Sequence, residues 1–307
     1  MIIYFGKINL NSSHIYQVYN KKLDIRDILQ TLHTLFVDGI VFEKEEVFRV
    51  DTEVRIETTT YKVSVQEKTD DFIRGYVYKD SVIYFKRFDE QEKKLKTRSI
   101  NNTEGVEFYF DTFSEIVGYH TALRLGHKEF LEAFEGLINS SLANDKNGYN
   151  FTVNQYTHGM NIKEIEKELK EIPSIQKLKI RLQPPNPDGD ELRALQNNAG
   201  SKMKKFEEAN IATKSVILTS ASRQGLNIES TEIKDQLKEV NSIHNQINAH
   251  VSTKNGYAEV EAIDKYGEKY STADKKAVKR EINNVIEFKD ACQSVILKKK
   301  MRGDKHV

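Results

Sequence analysis

The sequence predicts an α+β fold, with a strand-rich first part built on an antiparallel sheet and a more helical, more basic second part. Three observations lead there. β-branched and aromatic residues alternate from Asp51 to Leu123, apolar residues return to helical spacing from Gly126, and all four prolines fall between Pro173 and Pro187. The change of texture places two domains at 1–123 and 124–307.

Taken in order, Ile2–Leu10 is the first expected strand. Ile25, Ile28, Leu29, Leu32, Leu35 and Phe36 share one stripe, which makes Asp24–Val37 a helix. Thr58–Gln66, Phe72–Tyr78, Ser81–Phe88 and Gly105–Phe110 follow as strands, with Lys79-Asp80 as a hairpin turn. Phe130, Leu131, Phe134, Leu137 and Ile138 lie on one side of a helix that starts after Gly126. Tyr149–Tyr156, Ile162–Glu171 and Ser174–Leu182 then predict a β-α-β unit. Asn161, with Glu164 three residues on, signs the start of its helix as a capping box, and Pro173 stops it. Gln183–Asp190 is a rigid, non-helical connector, because proline removes donors and restricts its predecessor. Beyond it a helix is expected at Glu191–Asn210, a strand at Ile211–Leu218, a long helix at Ser230–His250, a strand at Gly256–Ile263 and a longer helix at Thr272–Lys300.

Composition narrows the function classes. No apolar run approaches the roughly 20 residues of a spanning helix, so no membrane insertion is expected. The opening MIIYFGKINL lacks the pattern of a secretory signal, and Cys292, the sole cysteine, has no intramolecular partner; a cytoplasmic location follows as the expectation. Residues 1–118 hold 17 Lys and Arg against 20 Asp and Glu, while residues 119–307 hold 30 against 26. Such a shallow gradient makes no case for a nucleic-acid partner by itself; only a local patch can.

The strongest local patch is Lys177-Leu-Lys-Ile-Arg-Leu182. Period 2 in a strand puts Lys177, Lys179 and Arg181 on one face, spaced to follow phosphates, and Leu178, Ile180 and Leu182 on the other. The plainer account is a solvated face paired with glutamates of Glu164–Glu171. Lys202, Lys204 and Lys205 form a second basic cluster, and Lys298 and Lys299 belong to a third, which a helix C-terminus also explains. Ile233, Leu237, Val240, His244 and Ile247 are spaced as a heptad-like seam for packing within the chain or across a dimer, with His244 as an interior or interface group. The histidines stand in no metal-ligand motif, no phosphate-binding glycine loop or nucleophile elbow occurs, and Cys292 reads as a core residue, so no cofactor or metal is expected. Asp188, Asp190 and Glu191 keep a divalent-metal nuclease as a lesser alternative.

The later elements also carry a resemblance. The apolar helix at Gly126–Leu142, Phe151–Gln155, the Asn161-Ile-Lys-Glu-Ile helix, Leu178-Lys-Ile-Arg-Leu182, the Asn-Pro-Asp turn and Gly256-Tyr-Ala-Glu-Val-Glu-Ala-Ile-Asp-Lys-Tyr-Gly267 are similar to Rex-type phage-exclusion proteins. Those in turn resemble the RdgC recombination-associated proteins. The similarity covers roughly residues 105–300 as pattern rather than motif. It implies a dimeric, non-enzymatic protein that binds double-stranded DNA with little sequence preference and acts in phage exclusion beside a membrane or effector partner. It singles out no contact residue. The expectation is therefore a homodimeric DNA-binding protein of a phage-defence system, with an interaction scaffold or sensor subunit as the alternative.

Overall fold

The computed structural model describes residues 1–50, 53–186, 201–244, 253 and 256–303. The strands are β1 (Ile2–Leu10), β2 (Val41–Val50), β3 (Glu53–Lys68), β4 (Phe72–Asp89), β5 (Lys94–Asp111), β6 (Ile116–Tyr119), β7 (Phe151–Gln155), β8 (Lys177–Leu182), β9 (Lys214–Thr219), β10 (Ala258–Ile263), β11 (Lys269–Ser271) and β12 (Lys279–Glu281). The α-helices are α1 (His14–Tyr19), α2 (Ile25–Leu35), α3 (His127–Leu142), α4 (Ile162–Glu171), α5 (Ser201–Glu208), α6 (Thr231–His244), α7 (Thr272–Lys275) and α8 (Phe288–Gly303). The α+β class with antiparallel sheets is as the sequence predicts. By contacts, one unit comprises Met1–Ile3, Leu29–Gly148 and Arg280–Val307, the other Tyr4–Ile28 and Tyr149–Lys279. The texture change near Leu123 and these units thus divide the chain differently, because the apolar side of α3 packs on strands that precede it.

In the first unit β2 to β6 form an antiparallel meander. One face carries Val63, Val77, Phe108 and Phe110 against the apolar sides of α2 and α3, all of them fully buried. Phe134 of α3 lies 5.4–5.5 Å from the rings of Phe36, Phe108, Phe110 and Phe130. On the opposite face α8 touches β5, and Cys292 is buried with its thiol pushed well above the ordinary value by burial first and then by Glu107. Beneath α8 the Arg74 guanidinium holds Glu107 at 2.6 Å.

The expected turn at Lys79-Asp80 does not form. β4 runs unbroken for 18 residues, with Lys79 opposite Tyr61 on one side and Glu104 on the other. A two-residue hairpin needs positive φ at its centre, which Lys-Asp favours poorly, and the side-chain alternation keeps its phase through the dipeptide. Lys79 instead reaches Glu129 of α3 at 2.6 Å and donates to the Arg124 carbonyl at 2.7 Å. The β3–β4 ladder ends at Thr60–Asp80, so beyond that point β2–β3 and β4–β5 continue as two ribbons without a shared ladder, joined by side chains where Tyr84 donates to Glu57 and Arg55 lies over the Tyr84 ring.

In the second unit β7 pairs with β1, whereas β8 is one of the two interior strands of a four-stranded sheet ordered β11-β10-β8-β9. The β-α-β unit expected across α4 is therefore absent, since its two strands lie in different sheets. The crossover lies later. β9 and β10 both run antiparallel to β8, hence parallel to each other, and α6 joins them. Asn161 caps α4 as expected: its side chain accepts from the Glu164 amide and Glu164 accepts from the Asn161 amide, both at 2.9 Å. The long helix expected at Thr272–Lys300 is broken into α7, β12, a 3-10 turn at Val285–Glu287 and α8. Apolar spacing across that stretch concealed Lys279–Glu281, three exposed residues in extended form. The described part of the proline connector, Gln183–Asn186, is buried rather than a surface strap. Tyr19 donates to the Pro185 carbonyl at 2.5 Å, Tyr257 to the Asn186 carbonyl at 2.8 Å, and Asn186 accepts from the Leu10 amide at 3.1 Å.

Two stability predictions follow from the first unit. A Cβ at Gly136 of α3 would sit 2.4 Å from the Phe42 ring. Gly136→Ala should therefore cost about 1–3 kcal/mol in urea unfolding despite alanine's better helix propensity, and Phe42→Leu in the same chain should recover part of it. His33 is buried, with Nδ1 3.0 Å from Thr112 Oγ1, and is held below its ordinary value by burial first and by Lys68 next. The unfolded chain takes up the proton that folded His33 resists, so stability should fall as pH drops below about 6.5. His33→Gln should flatten the fall in urea midpoint between neutral and mildly acidic buffer.

Candidate nucleic-acid interface

β8 places its side chains as its period requires: Leu178, Ile180 and Leu182 are buried beneath the helical layer, and Lys177, Lys179 and Arg181 share the other face. Cross-strand register then decides their charge. Glu261 of β10 stands opposite Lys179 and Glu259 opposite Arg181. The Lys179–Glu261 separation is 3.2 Å and the Arg181–Glu259 separation 2.9 Å. Arg181 also donates to Asn154 Oδ1 at 2.6 Å, and its side chain is only 22% exposed. The rail is thus paired, with partners on β10. Two glutamates of α4 have other cations, Glu168 taking Lys275 at 3.1 Å and Glu164 taking Lys276 at 3.9 Å. Lys177, exposed and opposite Ile263, is the one rail cation without an ion pair among the described residues.

The remaining expected site residues scatter. Lys204 and Lys205 are exposed on α5 and enter no ion pair among the described residues. The side chains of Lys202, Lys298, Lys299 and His244, and all of Ile247, lie outside the described residues, as do Asp188, Asp190 and Glu191. Ile233, Leu237 and Val240 are buried, where α6 packs on β8 and α4. That part of the seam packs within the chain. Among the described residues no group of three or more His, Cys, Asp or Glu is placed to hold a metal, and no helix is long and apolar enough to cross a membrane.

The structure brings forward a surface that reading by local turns missed. From Ser81 to Asn102, β4 and β5 form a two-stranded ribbon with six Lys and Arg against three Asp and Glu. Phe85 opposes Arg98 and Arg87 opposes Lys96, which puts Arg87, Lys96 and Arg98 on one face. Lys96 is held by Asp89 at 3.0 Å and by Glu92, and Lys94 by Glu92 at 2.5 Å. Arg87, Lys93 and Arg98 enter no ion pair among the described residues. The signal lay in the run Lys86-Arg87 to Arg98, hidden once the strand was cut at Lys79-Asp80.

A mixed chain of antiparallel sheets with a basic ribbon and helix-backed strands defines an α+β protein of two units. The chain belongs to the family described as a domain of unknown function (DUF4747), which matches residues 40–300. No curated protein matches it.

The pairing on β8 predicts unequal costs for its two acids. Glu259→Gln weakens a largely buried pair and should cost about 1–3 kcal/mol in urea unfolding. Glu261→Gln removes a half-exposed pair and should cost under about 1 kcal/mol.

Proposed function

We propose that the chain is a non-enzymatic, sequence-tolerant double-stranded-DNA-binding protein of a phage-defence or exclusion system, working in the cytoplasm, and that the β4–β5 ribbon follows the phosphates. The observation that carries the reading is the set of cations Arg87, Lys93 and Arg98, which enter no ion pair among the described residues on the two-stranded β4–β5 ribbon. A ribbon of two strands has the width that the major groove of B-DNA admits, and arginine forks suit phosphate oxygens. In the other unit, Lys177, Lys204 and Lys205 are further cations without an ion pair among the described residues. The phage-exclusion setting, and a membrane or effector partner, rest on the likeness to Rex-type proteins over residues 105–300. A second reading, a scaffold or sensor that recognises protein, is favoured by the exposed apolar pair Phe88–Leu95 near the end of the same ribbon, residues 56% and 62% exposed.

A mobility-shift titration with a mixed-sequence duplex separates them. With about four phosphates contacted, affinity should fall about 100-fold between about 50 and 200 mM salt. Arg87→Glu with Arg98→Glu should weaken binding at least about tenfold, whereas charge reversal of Lys179 and Arg181 should act mainly through stability. Undiminished binding by the ribbon variant removes the ribbon from the interface. No shift at low salt removes DNA as the ligand.

A further inference from the structure

The β2–β3 hairpin beyond α3 carries an apolar stripe that the chain itself leaves uncovered. Its inner face is occupied: Phe42 stacks on Tyr61 with centroids 6.0 Å apart, and Gly136 of α3 closes on Phe42. On the outer face the register aligns Glu45 with Thr58, Val47 with Ile56, and Arg49 with Val54. Val47, Ile56 and Val54 are 70%, 66% and 62% exposed. Three adjacent β-branched side chains so open to water on one sheet face are unusual for a surface meant to stay wet.

We propose that this face is where a second copy of the chain docks, outer face to outer face, about a twofold axis through the Val47–Ile56 row. The order of side chains is what selects a second copy over another protein. A half-turn about an axis lying across the strands at that row sets Val47 over Val47 and Ile56 over Ile56. It also sets Arg49 over Glu45 of the second copy, and Glu45 over Arg49 of the second copy. Each copy thus gives and receives the same contact, as an isologous interface requires. Glu45 and Arg49 are exposed and enter no ion pair within the chain among the described residues, so both charges are available. Sheets stacked about 10 Å apart leave room for the valine and isoleucine side chains to interdigitate while the longer charged ones meet beside them. The seam read from sequence for packing within the chain or across a dimer is, at Ile233, Leu237 and Val240, core. The patch is small, so the association is of a reversible, micromolar kind. The inference stands apart from the DNA reading.

Sedimentation velocity of the full chain without DNA tests it. The wild-type protein should pass from monomer to dimer as concentration rises to about 100 µM. Ile56→Asp should remain monomeric with an unchanged thermal melt, since the site is exposed. Arg49→Glu should weaken the dimer at least about tenfold, and Arg49→Glu with Glu45→Arg should restore it. A wild-type protein that stays monomeric throughout overturns the proposal and assigns the face to a different partner. So does an Ile56→Asp dimer as tight as the wild type, or a double charge swap that fails to restore association to a folded protein.

Discussion

The first unit depends on one aromatic contact set, the ring of Phe134 held among Phe36, Phe108, Phe110 and Phe130. Four rings at such distances exploit edge-to-face and offset geometry as well as burial. They tie a helix, the residue that follows another helix, and the interior strand β5 at one point. Everything nearer that point is covered on the helical face; everything farther along β2 to β5 is not. The two ribbons therefore project from a rigid base, and their free faces are a geometric result of where the aromatic cluster stops.

Electrostatics divides the basic residues in the same way. On the four-stranded sheet, acids on β10 stand opposite Lys179 and Arg181 of β8, so these two charges are answered within their own rows, while Lys177 faces Ile263. On the β4–β5 ribbon the acids sit near the hairpin end and answer Lys94 and Lys96, whereas Arg87, Lys93 and Arg98 enter no ion pair among the described residues. Basic runs that look alike in sequence thus translate into different available charge. What matters is whether a carboxylate occupies the opposing register position.

Local signals were legible in the sequence. Asn161 and Glu164 name each other three residues apart, the apolar stripe of α2 is continuous, and the alternation in β8 assigns both faces. The misreadings share a cause. Glu259 lies 78 residues from Arg181, and no local period reveals that the two meet. Lys79-Asp80 has the polarity of a turn but not its backbone requirement, and neighbouring strands on both sides hold it extended. The β-α-β expectation joined strands that are consecutive in sequence, while the sheet recruits β9 and β10 around β8. β2 escaped notice because neither face is uniformly apolar: Val41 and Val47 share the outward face with Glu43, Glu45 and Arg49, and Phe42 shares the inner one with Lys44 and Glu46.

The interleaving of the two units has a consequence for synthesis. The strand-rich unit begins early, yet α8, which carries Phe288 and Cys292 into its core, comes from beyond Arg280. Until that helix emerges from the ribosome, β5 lacks the cover under which Arg74 and Glu107 pair. The nascent meander must wait, half-dressed, while nearly the whole second unit is made. The face of β5 that α8 covers is therefore completed only once residues 149–279 have been made.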